Sequence, residues 1–261
     1  MADNIAQHFR PSEQTFIAQG EDFIRQALDE YRAVLTDFLN PRQIHILTTI
    51  VNRQTELKFK TFGGYEGAES QRMLIFPSYY EATLADFDMT LLEVNYPTKF
   101  AELHHSTILG ALIHSGIERS SIGDILADDT GRWQIILTNP IARFVMSEVD
   151  HIGKNKVRFI DTPFEQVIAT TEDWETSSLT VSSLRLDTIV ANGYNISRTH
   201  AKELVERGAV RVNWTDIDRP DFMLAVNDLI SVRKFGRLKL MAENGLTKKD
   251  KWRVEMAVIK K

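Results

Sequence analysis

Short segments between residues 81 and 168 carry strand and helix signals in a fixed order. Alternating or continuous apolar runs predict strands, and apolar residues at helical spacing predict helices. The predicted strands are 90–94, 123–127, 133–137 and 156–160, and the predicted helices are 105–115 and 139–149. This β-α-β-β-α-β order is typical of the ferredoxin-like unit that many RNA-recognition modules share. We therefore predict an α+β protein with an RRM-like (ferredoxin-like) domain at 81–168.

This middle segment lacks the aromatic signature that places stacking rings on the third strand of a standard RNA-recognition motif. Trp133 supplies a single ring there. The order of elements therefore predicts the fold of the domain and leaves its function open, because this fold hosts many unrelated functions.

The sequence pattern of residues 1–80 predicts a helical N-terminal domain with a short hairpin. Apolar residues recur at helical spacing from Gln19 to Gln54. Asn40 is expected to end one helix, and Pro41 to occupy the first position of the next. Strands are predicted at 57–62 and 73–76, on either side of a glycine pair at 63–64.

The composition is that of an ordinary globular chain. Of its 261 residues, 43% are hydrophobic, which is enough to build a core, and none is cysteine. Disulfides, thiolate nucleophiles and cysteine-based zinc sites are thereby excluded. No apolar run approaches the length of a membrane span, and the first residues lack the features of a secretory signal. We expect a cytoplasmic protein with no membrane partner.

Charge is distributed unevenly along the chain. Residues 182–261 contain 16 Lys and Arg against 10 Asp and Glu, whereas the rest of the chain contains 15 against 26. A polar, acidic stretch rich in serine and threonine separates the two parts, and we interpret residues 169–181 as a linker. The asymmetry predicts that the C-terminal domain, 182–261, meets a polyanion.

The sequence of the C-terminal domain predicts two short helices and a small sheet. The first helix is expected from Leu186, and the second from Ser197, a favoured N-cap, to Gly208. The segment 209–213 alternates, with its valines inward and Arg211 and Asn213 outward. A further strand is expected within 228–234, and another at 252–259 closes the sheet.

Several basic side chains of this domain are predicted to form one phosphate-binding surface. Arg198 and Lys202 lie one turn apart at the start of the second helix, where the helix dipole favours anions. The remaining members of the predicted surface are Arg185, Arg211, Asn213 and Lys234. Such a surface suits a folded RNA backbone better than base readout. Asp187 is interpreted as a structural partner of a nearby arginine.

Four ordered motifs in this domain resemble an S4-type RNA-binding domain. They are RLD at 185–187, SRTHAK at 197–202, GAVRVN at 208–213 and DLISVR at 228–233. The resemblance covers residues 182–240 and implies that Ser197 and Thr199 join the RNA-binding surface. Trp214 and Asn227 depart from the pattern, because glycine is usual at both positions.

Motifs in the rest of the chain resemble the YlmH family. They are HFRP at 8–11, TDFLNPR at 36–42, FGGYEGAE at 62–69, YPTKF at 96–100 and IGDI at 122–125. The resemblance implies an RNA-binding protein of the large ribosomal subunit that acts in quality control of stalled translation. It further implies that the S4-type domain holds rRNA and a peptidyl-tRNA, and that the family genes are associated with cell division. A monomer is expected away from the ribosome.

An enzyme is the alternative hypothesis, since S4-type domains are often attached to catalytic domains. Arg185-Leu186-Asp187 resembles a pseudouridine-synthase motif, and His151-Ile152-Gly153-Lys154 resembles a nucleotide-binding motif of tRNA synthetases. Neither lies in a segment large enough for the corresponding domain. We predict a non-enzyme without cofactor or metal, and keep an RNA-modifying enzyme, or its accessory subunit, as the alternative.

Overall fold

The structure is a computed structural model that describes residues 9–99, 101–168 and 174–260. The chain divides after residue 170 into two compact units. The first unit holds the N-terminal and middle domains, and the second holds the C-terminal domain. None of the helices in the described ranges combines the length and apolar composition that a bilayer crossing requires.

The N-terminal domain packs two helices against a three-stranded sheet. Its elements are α1 (Gln14–Asp29), β1 (Val34–Leu39), α2 (Pro41–Val51), β2 (Leu57–Phe62) and β3 (Gln71–Pro77). The strands are antiparallel in the order β1-β3-β2. Asn40 caps α2 by accepting a hydrogen bond from the Gln43 amide at 2.8 Å. Pro41 begins this helix, as predicted.

The prediction of helix from Gln19 to Gln54 is wrong between α1 and α2. α1 ends at Asp29, Tyr31 adopts a left-handed backbone with φ of 50°, and β1 follows. The apolar residues of β1 serve two cores, because Val34 faces the helices while Phe38 faces the middle domain. A register shift between Leu35 and Phe38 produces this division. Helical spacing and a bulged strand fit the same apolar positions, so the pattern alone did not separate them.

The middle domain has the predicted ferredoxin-like topology. Its main elements are β4 (Met89–Asn95), α3 (His105–His114), β5 (Ile122–Ala127), β6 (Trp133–Thr138), α4 (Asn139–Glu148), the small hairpin β7 (His151–Ile152) and β8 (Asn155–Lys156), and β9 (Arg158–Thr162). The antiparallel sheet has the order β5-β6-β4-β9, with both helices against one face. The last strand begins two residues later than predicted, because Lys156 pairs with His151 in the hairpin.

The C-terminal domain covers one face of a six-stranded sheet with two helices. Its elements are β10 (Glu175–Val181), α5 (Leu186–Gly193), α6 (Arg198–Glu206), β11 (Val210–Val212), β12 (Thr215–Asp216), β13 (Leu229–Val232), β14 (Gly236–Leu246) and β15 (Trp252–Lys260). The sheet order is β10-β15-β14-β13-β11-β12. Ile189, Ala201 and Leu238 are fully buried between the helices and the sheet.

The predicted linker at 169–181 is wrong over its second half. Residues 169–173 lie outside the described residues, but 175–181 form β10, which pairs with β15 from Glu175↔Val258 to Val181↔Trp252. The serine- and threonine-rich composition reflects an exposed edge strand, and only Leu179 and Val181 contact the core. The strand predicted at 252–259 therefore lies inside the sheet, between β10 and β14.

Candidate nucleic-acid interface

A buried carboxylate joins the starts of both helices of the C-terminal domain. Asp187, in the first turn of α5, is 2% exposed. The Arg185 guanidinium donates to both of its carboxylate oxygens, at 3.1 and 3.0 Å. Arg198, the first residue of α6, donates from Nε at 3.2 Å. The two predicted phosphate-binding arginines are thus held side by side, and Asp187 is the structural partner that the sequence indicated.

Asp187 remains ionised although it is buried. Burial by itself raises the pKa of this carboxyl, but hydrogen bonds from Arg185, Arg198 and Thr188 outweigh it, and the pKa lies below the ordinary aspartate value. Arg198 nevertheless keeps 56% of its side chain exposed. A positioned guanidinium that still faces solvent can bind a phosphate without first losing much side-chain freedom.

The first turn of α6 adds further predicted residues to this surface. Ser197 caps the helix by accepting a hydrogen bond from the His200 amide at 3.1 Å. Thr199 and Lys202 are exposed, and the Lys202 ammonium lies 3.5 Å from a carboxylate oxygen of Glu206, one turn further along. Both partners of this ion pair are exposed, so it competes weakly with an incoming phosphate.

The turn between β13 and β14 brings Lys234 close to this helix. Lys234 is exposed and has a left-handed backbone, with φ of 71°. The neighbouring Phe235 ring packs against Tyr194 and His200, with ring centroids 5.3 and 6.1 Å apart. Because His200 belongs to the first turn of α6, this contact fixes the turn beside Arg198. We call Arg185, Ser197, Arg198, Thr199, Lys202 and Lys234 the α6 surface.

The prediction that Arg211 joins the same concavity is wrong. Val210 and Val212 face the helices, so alternation along β11 places Arg211 on the opposite face of the sheet. There its Nε donates to Asp216 at 2.7 Å, across the β11–β12 hairpin. Sequence alternation correctly placed Val210 and Val212 inward and Arg211 outward, but it did not show that outward meant away from α6.

Asn213 does not point outward as predicted. Its amide nitrogen donates to a carboxylate oxygen of buried Asp228 at 2.8 Å, and its amide oxygen accepts from the Leu229 backbone at 3.0 Å. The backbone of Asn213 is left-handed, with φ of 49°. Asparagine tolerates that conformation, so the residue shapes the hairpin instead of presenting its amide to a ligand.

The aromatic support of the α6 surface was missed by the sequence analysis. The Tyr194 hydroxyl is buried, has no hydrogen-bond partner among the described residues, and burial raises its pKa. Tyr194 therefore acts as an apolar ring beneath Phe235. The strand predicted within 228–234 ends at Val232, and the packing of Phe235 on Tyr194 and His200 depends on tertiary contacts that strand alternation does not predict.

Comparison with known proteins decides the family. Family models described as "YlmH, N-terminal", "Putative RNA-binding domain in YlmH" and "S4 domain" match residues 12–80, 82–166 and 184–230. The chain is 38% identical over 251 residues to ribosome-associated protein quality control protein P2 of Bacillus subtilis, covering 96% of this chain and 97% of that protein. The chain belongs to the YlmH family.

Two further relatives match parts of this YlmH-family chain. Small ribosomal subunit protein uS4A of Clostridium perfringens is 41% identical over 71 residues, which are 25% of this chain and 34% of that protein. The solved structure of cell division protein ylmH from Streptococcus pneumoniae is 32% identical with a TM-score of 0.55, and covers 62% of this chain and 98% of its own. The resemblances stated from the sequence motifs are confirmed.

The middle domain of this YlmH-family chain does not offer the sheet face that RNA-recognition motifs use. The face opposite its helices carries Leu91 and Ile136, which are buried under Phe38 and Ile168 of the same chain. Gln134 holds the covering segment by accepting from the Ile168 amide at 2.7 Å and donating to the Gln166 carbonyl at 3.0 Å. Base stacking on this part of the sheet is therefore sterically excluded.

The two motifs of the enzyme hypothesis occupy unsuitable positions in the YlmH fold. The carboxylate in Arg185-Leu186-Asp187 is bonded to two guanidinium groups, which hold its charge and leave it a poor proton acceptor. His151 lies in the exposed β7–β8 hairpin, where its Nδ1 is 2.9 Å from an oxygen of Asp150. Among the described residues, no group of three or more acidic or histidine side chains could hold a metal.

Proposed function

We propose that this chain is a non-catalytic, cytoplasmic RNA-binding protein that docks on structured RNA of the large ribosomal subunit through its S4 domain. The observation that carries the proposal is the α6 surface, where buried Asp187 positions Arg185 and Arg198, with exposed Lys202 on the same helix and exposed Lys234 in the turn that packs on it through Phe235. Guanidinium and ammonium groups beside a helix N-terminus suit phosphate oxygens. The likeness of this domain to ribosomal protein uS4A supports an RNA ligand.

We further propose that the bound RNAs are rRNA and a peptidyl-tRNA, and that the protein acts in rescue or quality control of stalled translation. Support comes from the relative named ribosome-associated protein quality control protein P2. The charge distribution agrees with binding through one end, since residues 1–181 carry a net charge of −11 and residues 182–261 a net charge of +6. Away from the ribosome we expect a monomer.

Co-sedimentation with purified ribosomal subunits tests the proposal. The double variant Arg198→Ala, Lys202→Ala removes two exposed cations of the α6 surface and leaves the Ala201 and Val205 core contacts in place. It is expected to abolish pelleting with large subunits. The matched control is Lys248→Ala, Lys249→Ala, which removes two exposed lysines from the segment between β14 and β15 and should pellet normally.

Salt dependence provides a second measurement in the same experiment. Each phosphate-binding cation that is removed should make the slope of log affinity against log salt shallower by about 0.7–0.9, which the single variants Arg198→Ala and Lys202→Ala should each show. Unchanged pelleting of the Arg198 and Lys202 variant would remove the α6 surface as the docking site. Equal pelleting with small subunits would contradict the proposed choice of subunit.

A further inference from the structure

Among the described residues, the sheet of the N-terminal domain has one open edge. Its strand order makes β1 and β2 the two edges. β1 lies against the 119–121 segment of the middle domain. β2, in contrast, pairs with β3 alone within the described residues. An unpaired strand edge presents main-chain N–H and C=O groups that an extended polypeptide can bond.

The residues of β2 whose main-chain groups face the open edge follow from the register. The Ser78 amide donates to the Glu56 carbonyl at 3.0 Å, next to the antiparallel pair Lys58↔Phe76. Hydrogen-bonded and non-bonded pairs alternate along an antiparallel ladder, so even-numbered residues of β2 bond β3. The N–H and C=O groups of Phe59 and Thr61 therefore point toward the open edge.

A groove runs along this edge. It encloses about 550 Å³ between the end of α2 at Asn52 and the 80–82 segment, and Lys58, Lys60 and Tyr80 are among its lining residues. Next to Tyr80 in the chain, Tyr79 is 66% exposed, and its hydroxyl donates to the Tyr31 carbonyl. Tyr79 lies outside the groove lining, whereas half-buried Tyr80 belongs to it, and tyrosine is enriched at protein-binding surfaces.

Two lysines give the groove its charge. The Lys58 ammonium donates to the Ser78 carbonyl at 3.3 Å and the Lys60 ammonium to the Ala82 carbonyl at 3.0 Å, which fixes both heads over the groove. Each ammonium has three N–H groups, so donors remain for a ligand. Glu81 also lines the groove, while nearby Asp86 is held by Tyr80 and Thr83.

We propose that the open edge of β2 is a docking site for an extended acidic segment of a protein partner, which adds to the sheet as a strand. Lys58 and Lys60 lie two residues apart on one face, the spacing at which an added strand presents its side chains. Lysines on an edge strand ordinarily discourage pairing with strands of other proteins. Here their charge favours a pairing strand that carries carboxylates. A polypeptide is favoured over RNA because its backbone alternates N–H donors and C=O acceptors that match the groups on an open strand edge.

Fluorescence polarisation with a labelled peptide tests the site on the full chain. The probe is a decapeptide of alternating glutamate and valine, and the comparison peptide replaces glutamate with lysine. The acidic peptide should bind and the basic one should not. The charge-reversal variant Lys58→Glu, Lys60→Glu should weaken binding about tenfold or more, corresponding to about 1.4 kcal/mol. Lys248→Glu, Lys249→Glu is the charge-matched control and should bind normally.

A second variant tests strand addition separately from charge. Thr61→Pro removes an N–H that faces the open edge while keeping the bonds to β3, and an edge strand tolerates proline at such a position. It should also weaken binding about tenfold. In the wild-type protein, the amides of Phe59 and Thr61 should gain protection from hydrogen exchange when the peptide is added.

Three results would overturn the proposal. They are no saturable binding up to about 1 mM peptide, wild-type binding by Thr61→Pro, or tighter binding of oligouridylate than of the peptide at the same lysines. The test is independent of ribosome binding, since Arg198→Ala, Lys202→Ala should bind the peptide normally.

Discussion

The carboxylate of Asp187 accepts a hydrogen bond at 3.2 Å from Nε of Arg198, eleven residues further along the chain. This contact links the start of α5 to the start of α6, and Arg185 completes it from the other side. One buried charge therefore both stabilises the helix pair and orients the cations that face solvent. Stability and RNA affinity are expected to depend on it together.

Replacing Asp187 by asparagine should weaken both properties. Asp187→Asn keeps the size of the side chain but removes the charge that two guanidinium groups share. The free energy of unfolding of the C-terminal unit should fall by about 1–3 kcal/mol in urea denaturation, and pelleting with large subunits should decrease. The exposed pair of Arg211 and Asp216 is the control, and Asp216→Asn should change stability little. Equal effects from the two variants would contradict the role given to Asp187.

The stability of the C-terminal unit should depend on pH in the acid range. The folded pKa of Asp187 lies below its ordinary value, so the unfolded chain binds more protons as pH falls. The contribution is therefore complete above the unfolded pKa of about 3.9 and is lost as pH falls through the folded pKa. Acid titration of unfolding should show a smaller decline for Asp187→Asn than for wild type. Parallel curves would exclude Asp187 as the source.

Two replacements of Ser197 should separate helix capping from phosphate binding. Ser197→Ala removes the acceptor for the His200 amide and should cost about 1 kcal/mol of stability. Ser197→Asp restores a good cap but places a negative charge at the α6 surface. The aspartate variant should therefore be as stable as wild type in thermal unfolding yet pellet less with ribosomal subunits. Normal pelleting of this variant would show that phosphate does not approach the start of α6.

In the glycine pair after β2, substitution of Gly64 by alanine should lower stability because the added Cβ has no room. A Cβ on Gly64, where φ is 99°, would lie 2.8 Å from side-chain atoms of both Ile136 and Phe164. Gly67 also has positive φ, of 85°, but open space around it. Both alanine variants should lose about 1 kcal/mol of stability to backbone strain, and Gly64→Ala should lose about 1–3 kcal/mol more from overpacking. Chemical denaturation of the two variants measures this difference.

Local signals in the sequence predicted much of the fold. Pro41 was recognised as the start of a helix and Ser197 as an N-cap, and the order of elements in the middle domain predicted its topology. β1 was missed because its apolar residues serve two cores through a bulge, which imitates helical spacing. β10 was missed because its partner, β15, is distant in sequence and most of its side chains are exposed.

The candidate site was predictable only where it is local. Arg198 and Lys202 share a helix, so their common face followed from helical spacing. The positions of Arg211 and Asn213 depend on which sheet face the helices cover and on the partner of each side chain. An alternating sequence pattern gives no information about the covered face or the partners. Phe235, the residue after Lys234, packs on His200 of α6, and a contact between such distant segments is not visible in local sequence.

The cover that Phe38 and Ile168 form over the middle sheet determines how the protein can be divided. A fragment that starts after β3 would lack Phe38, so Leu91 and Ile136 would become exposed to solvent. Such a fragment should aggregate or bind detergent. The first two domains are therefore expected to fold as one unit. Recombination between related genes should keep their coding sequences together.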